Sequence, residues 1–176
     1  MIRALFGGAF DPPHFGHQMI VHYLLESAVV DRVHLVLCAH HPDGKALSEW
    51  EQRWTWCNAL IEPFGDAATV DPIERELGGL STSFRTAEAL REKYPEDTLR
   101  WVTGSDADID QWVNPERLRL AAPPLMIGRG ERDPGDLPLV MPEVSSTEVR
   151  ARRAAGQSLR GLVPARVAAL LGDDTR

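Results

Sequence analysis

Short apolar runs alternate with longer stretches of helical period along this chain, and that alternation limits the fold more than any other feature. "RALF" (Arg3 to Phe6) is apolar and closed by Gly7-Gly8, which predicts a buried strand. From His17 the apolar positions fall at Ile20, Val21, Leu24, Leu25 and Ala28, one face of a helix. Arg32 to Ala39 is rich in β-formers and predicts a second strand. Ser48 to Ile61 sets Trp50, Trp54, Cys57 and Ile61 on one helical stripe. Further strands are expected at Ala68 to Ile73, Thr98 to Gly104, Pro124 to Arg129 and Leu137 to Met141. Further helices are expected at Ser83 to Tyr94, Ser146 to Ala155 and Pro164 to Leu171. Strands joined through helices make a parallel sheet with both faces covered and right-handed crossovers. The expected fold is therefore α/β, a Rossmann-like doubly wound parallel sheet of about five to six strands with helices on both faces. The length of 176 residues suits one such domain over residues 1–176, closed by the last two helices.

Ligands of such sheets bind beyond the carboxyl ends of the strands, so the loop after the first strand carries the first functional expectation. It reads "GGAFDPPHFGH", Gly7 to His17. Glycines directly after a strand let a phosphate approach the backbone. Pro12 and Pro13 delay the helix until about His14 to Gly16. The new helix then offers free N–H groups and its positive dipole end. An imidazole beside a phosphate donates a hydrogen bond and carries charge when protonated. His14 and His17 are thus expected to share one anion. The structural alternative is a tight turn with two incidental histidines.

Composition narrows the partners. The net charge of -7 argues against nucleic-acid binding through phosphate neutralisation, while leaving room for a small anion in a local basic pocket. No apolar stretch is long enough to cross a bilayer, and the N-terminus shows no signal-peptide pattern. Two cysteines, Cys38 and Cys57, form no disulfide framework and point to the cytoplasm. Cys38, His40 and His41 lack a second ligand pair at zinc-finger spacing, so no metal site is expected in the protein itself. Gly44-Lys45 lacks the earlier glycine and the following Ser or Thr of a P-loop. Homo-oligomer formation is left open.

A second motif stands near the C-terminus. "VSSTEVR" (Val144 to Arg150) resembles the signature Ile-Ser-Ser-Thr-x-x-Arg, and "GGAFDPPHFGH" resembles the His-x-Gly-His signature of nucleotidyltransferases. Ser145 and Glu148 also form a capping box, and a helix start is itself an anion site. Together the motifs resemble the nicotinate and nicotinamide mononucleotide adenylyltransferases, with the bacterial nicotinate enzyme similar in length. The resemblance extends from about Arg3 to Arg150. Lys45 falls on the family's lysine, with Cys38, Asp43 and Gly44 replacing Pro, Pro and His. "RWVTGSD" supplies Gly104 and Asp106, Trp112 follows on a shorter loop, and Arg129 falls on the family's arginine after the fifth strand.

This resemblance implies adenylyl transfer from ATP to nicotinate mononucleotide, giving deamido-NAD and pyrophosphate in NAD biosynthesis. The alternative is transfer to nicotinamide mononucleotide or another phosphorylated acceptor. It implies His14 and His17 as catalytic residues on the ATP phosphates. ATP would be held by Gly7, Gly8, Ala9, Phe10, Gly104 and Asp106, and from the other side by Ser145, Ser146, Thr147 and Arg150. The acceptor would be held by Lys45, Ser81, Thr82, Ser83, Trp112 and Arg129. For Trp112, stacking on a ring and plain packing both fit the sequence. Mg²⁺ is implied through the ATP phosphates rather than in a protein cage. One segment departs: the family's Ser-Tyr-Thr-x-Asp-Thr becomes Ser81 to Thr86, with Thr82 for tyrosine and Arg85 for aspartate. Arg85 either adds positive charge at the acceptor or points to solvent.

Overall fold

In the computed structural model, residues 1–129, 136, 140–141 and 144–173 are described, with the backbone alone at 129, 140 and 141. Six strands, β1 (Ile2–Gly8), β2 (Arg32–Leu37), β3 (Ala68–Asp71), β4 (Thr98–Gly104), β5 (Pro124–Arg129) and β6 (Val140–Met141), form one sheet in the order β3-β2-β1-β4-β5-β6. Every pairing is parallel. This is the doubly wound order, and its direction reverses between β1 and β4, opening a crevice above that pair.

The helices are α1 (Phe15–Glu26), α2 (Trp50–Ile61), α3 (Ile73–Leu77), α4 (Ser83–Lys93), α5 (Pro115–Ala121), α6 (Ser146–Ala154) and α7 (Ala165–Leu170). The sheet separates two apolar clusters, as burial on both faces requires. One joins Ala4, Phe6, Val33 and Leu35 to α1, α2 and α7 through Val21, Leu24, Trp56, Leu60 and Val167. The other joins Leu5, Val36, Leu99 and Trp101 to α4 and α5 through Phe84, Leu90 and Leu118. Alternate residues of β1 thus serve opposite faces, as the two-residue period of a strand dictates.

The expected strands at Thr98 to Gly104 and Pro124 to Arg129 form with those bounds. β1 runs two residues further, to Gly8. α1 begins at Phe15, directly after His14 and within the expected start at about His14 to Gly16. β3 stops at Asp71, where Pro72 ends the ladder and starts α3. Of the expected strand Leu137 to Met141, residues 137–139 lie outside the described residues, and Val140–Met141 pairs with β5. No helix among the described residues is long and apolar enough to cross a membrane.

Candidate active site

The turn after β1 is shaped by aromatic packing. A Cβ on Gly7 would stand 2.6 Å from a ring carbon of buried Trp101, so no side chain fits there. Phe10 takes a left-handed φ of 46° and is buried under the loop. Its ring meets Phe6 edge-on at 5.5 Å and His17 at 4.8 Å.

His14 is the extended residue that precedes α1. Its carbonyl accepts the N–H groups of His17 (3.0 Å) and Gln18 (3.2 Å), closing the first turn. Its own N–H donates to Nδ1 of His17 at 3.1 Å. An Nδ1 that accepts carries no proton, so neutral His17 holds its proton on Nε2, the donor form. The two rings stack with centroids 3.7 Å apart. Gly16 permits this, since a Cβ there would stand 3.1 Å from the His14 ring. The sequence thus builds a pair of imidazoles at the start of a helix, where backbone N–H groups and the dipole favour an anion.

The C-terminal motif is fastened to this loop. Ser145 caps α6 by accepting the Glu148 N–H at 3.2 Å. Ser146 Oγ donates to the Pro12 carbonyl at 2.9 Å. Arg150 donates to the Asp11 carbonyl and, at 3.1 Å, to Thr147 Oγ1. Buried Asp11 in turn accepts the Ser48 N–H at 3.0 Å. The two motifs, far apart in sequence, therefore form one structure.

They face a cleft of about 480 Å³ at the carboxyl ends of β1, β2 and β4. Of the residues singled out from sequence, Gly7, Gly8, Ala9, His14, His17, Gly104, Ser81, Ser83, Trp112, Ser145 and Ser146 line it. The others do not. Phe10 supports the loop from below, and Arg150 and Thr147 bond each other beside it. Asp106 is exposed beyond β4. The Thr82 hydroxyl is buried ahead of α4. Lys45 lies outside the cleft, exposed and paired with Asp43 at 3.7 Å. The side chain of Arg129 lies outside the described residues.

Among the lining residues that the sequence reading did not assign to the site are Cys38, His41, Pro42 and Glu74, of which Cys38 and His41 were weighed only as zinc ligands. The first three directly follow β2, so the carboxyl-end rule was the signal that could have found them. Glu74 sits on the short α3 and is buried. Burial pushes its carboxyl above the usual range, against donors from Ser81, Thr86 and the Ala39 N–H and the nearby Arg53 charge. Thr86 Oγ1 donates to Oε1 at 3.0 Å, and the Ala39 N–H to Oε2 at 3.2 Å. Burial likewise raises the Cys38 thiol, with Glu74 adding to it.

Arg85 does neither thing expected of it. It folds back from the first turn of α4 and donates to the carbonyls of Leu80 (2.9 Å) and Gly78 (3.2 Å). A guanidinium holds two carbonyls at once where an aspartate would repel them. Among the described residues, no group of three or more His, Cys, Asp or Glu side chains could hold a metal ion.

Comparison with known proteins bears on the family and the fold. A family model described as cytidylyltransferase-like matches residues 5–152. A probable nicotinate-nucleotide adenylyltransferase of Anaeromyxobacter dehalogenans is 36% identical over 169 residues, covering 93% of this chain and 90% of that protein. One from Gemmatimonas aurantiaca is 36% identical over 188 residues, covering 96% and 88%. Among solved structures, the Plasmodium falciparum nicotinic acid mononucleotide adenylyltransferase complexed with NaAD superposes with a TM-score of 0.81 at 18% identity, covering 97% of this chain and 94% of that one. A putative nicotinate-nucleotide adenylyltransferase from Vibrio parahaemolyticus gives 0.76 at 22% identity, covering 97% and 91%. At those identities the superpositions speak for the fold.

Proposed function

The chain belongs to the cytidylyltransferase-like family, among the nicotinate-nucleotide adenylyltransferases that it matches over most of its length, and from that membership we propose that it joins ATP to nicotinate mononucleotide. The products are deamido-NAD and pyrophosphate, a step of NAD biosynthesis, in the cytoplasm. The observation that carries this reading is the His14–His17 stack at the start of α1, in one cleft with Ser145 and Ser146 of α6.

The 5′-phosphate of the mononucleotide attacks the α-phosphorus of ATP in line, and the bond to the β-phosphate oxygen breaks. No covalent enzyme intermediate is needed, so catalysis is positioning plus neutralisation of phosphate charge. His14 and His17 face the ATP phosphates, and Nε2–H of His17 donates to the charge that develops at the α-phosphate. Gly8, Ala9 and Phe10 present backbone to ATP, with the start of α6 opposite. Ser81, Ser83 and Trp112 form the acceptor pocket. With no protein cage among the described residues, phosphate oxygens and water would hold Mg²⁺, which would supply further charge neutralisation.

The acid is favoured as acceptor because Ser83 opens α4, an eleven-residue helix with no acidic residue in its first turn, and a helix start suits a carboxylate. Glu74 favours the second reading, the amide, because it is the one acidic side chain among the described residues that line the cleft. Its oxygens are already occupied by Thr86 and the Ala39 N–H, which gives the acid precedence. The test is pyrophosphate release from ATP with each mononucleotide in turn. The expected kcat/KM preference for nicotinate mononucleotide is about tenfold or more, roughly 1.4 kcal/mol. Equal efficiency, or a preference for the amide, refutes the assignment of the acid.

A further inference from the structure

Arg53 of α2 is 2% exposed, yet no carboxylate among the described residues forms an ion pair with it. A charge so buried needs compensation; the nearby Asp11 and Glu74 carboxyls supply part of it, and backbone carbonyls supply the hydrogen bonds. Nε donates to Ser48 O at 2.9 Å. Nη1 donates to Cys38 O at 2.8 Å and to Ala9 O at 2.9 Å. Ala9 is the first residue after β1 and Cys38 the first after β2, and both line the cleft. One guanidinium therefore grips the two loops that meet there.

The grip has a directional consequence. In a trans peptide the C=O and the following N–H point opposite ways. With the Ala9 carbonyl turned inward to Arg53, the Phe10 N–H points away from the interior. It has no hydrogen-bond acceptor among the described residues. With the Cys38 carbonyl turned inward, the Ala39 N–H points toward Glu74 Oε2 (3.2 Å) and Ser81 Oγ (3.1 Å). That pair backs the pocket containing Ser83. The same cation thus sets one peptide on the triphosphate side and another on the acceptor side.

We propose that Arg53 is a positioning residue that couples the two substrate half-sites, by fixing the Ala9–Phe10 and Cys38–Ala39 peptides at once. This rests on the adenylyl-transfer reading above. Lysine cannot replace it, because its compact ammonium lacks the rigid fork that spans separated carbonyls.

The test compares wild type with Arg53→Met and Arg53→Lys. It measures thermal midpoint, KM for each substrate, kcat, and direct calorimetric binding of a non-hydrolysable ATP analogue. Arg53→Met should raise KM for ATP and for the mononucleotide together, each by about tenfold, the scale of a lost charge-assisted hydrogen bond. Arg53→Lys should also raise both KM values, each by less than Arg53→Met does, because an ammonium can still donate to carbonyls without spanning them as the fork does. A merely structural arginine would lower the thermal midpoint and leave both KM values unchanged. Folded variants with both KM values within about twofold of wild type, or with only one of them raised, overturn the proposal. Should Arg53→Met not fold, Arg53→Lys decides by the same criteria. Failure of the functional reading looks different: wild type releases no pyrophosphate with any mononucleotide. Analogue binding to wild type and Arg53→Lys then still tests the Ala9–Phe10 half, and equal affinities overturn it.

Discussion

His17 shows how much one residue's neighbours decide. The His14 N–H occupies Nδ1, so the ring is kept as an Nε2 donor. His17→Ala should lower kcat on the order of 100- to 1,000-fold, the range for one lost transition-state donor. The thermal midpoint should change little, and a folded variant turning over at the wild-type rate would exclude this role. Gly7 is a different case. From sequence it reads as a gap for phosphate, but the neighbour that forbids a side chain is Trp101, 2.6 Å from the absent Cβ. Gly7→Ala should therefore cost stability, about 1 to 3 kcal/mol of overpacking, read as a lower denaturation midpoint. The motif histidines were legible because their spacing is their signal. Arg53 and Glu74 were not, because a lone charged side chain on a helix reads as solvated.

At the scale of elements, sequence period located the long elements and missed two short helices, although six-residue α7 was found. α4 and the strands β4 and β5 carry enough residues to show a pattern. α3 and α5, of five and seven residues, do not complete enough turns for a helical stripe to stand out. The missed α3 mattered, since it brings Glu74 to the cleft. The loop from α3 to α4 has its own fastening in Arg85, which holds the Gly78 and Leu80 carbonyls directly before Ser81. Arg85→Ala should release that loop and raise KM for the mononucleotide several-fold, with KM for ATP unchanged. Steady-state kinetics with each substrate varied separately checks this. A rise in both KM values would show that the loop serves ATP as well.

For the whole molecule, the alternation of strands and helices gave the sheet, and the reversal of strand order between β1 and β4 gave the place of the cleft. What tied the layers together was not legible, because it depends on polar residues that meet only after folding. Asp97 accepts from Arg3, whose guanidinium lies 4.0 Å from the Tyr94 ring centroid. Arg3 Nη1 meets His34 Nε2 at 3.1 Å, and His34 Nδ1 meets Asp71 Oδ2 at 3.2 Å. A guanidinium only donates, so Nε2 accepts and Nδ1 carries the proton to Asp71. Lys93 of α4 stands 3.6 Å from the same carboxylate. The chain of contacts crosses β1, β2, β3 and the α4 layer. Burial alone would raise the Asp71 carboxyl, but the His34 hydrogen bond, the Lys93 ammonium and the Ile73 N–H outweigh it and hold it below its ordinary value of 3.8. A carboxyl depressed in the folded state adds stability above the unfolded-state value, and that stability is lost as the pH falls through the folded-state value. Asp71→Asn should therefore be less stable than wild type near neutral pH, with the difference shrinking as the pH falls below 3.8. Urea unfolding of both proteins across that range reads it directly. A difference that stays constant with pH would mean that Asp71 contributes shape and hydrogen bonding alone, and that its charge does not tie α4 to the sheet.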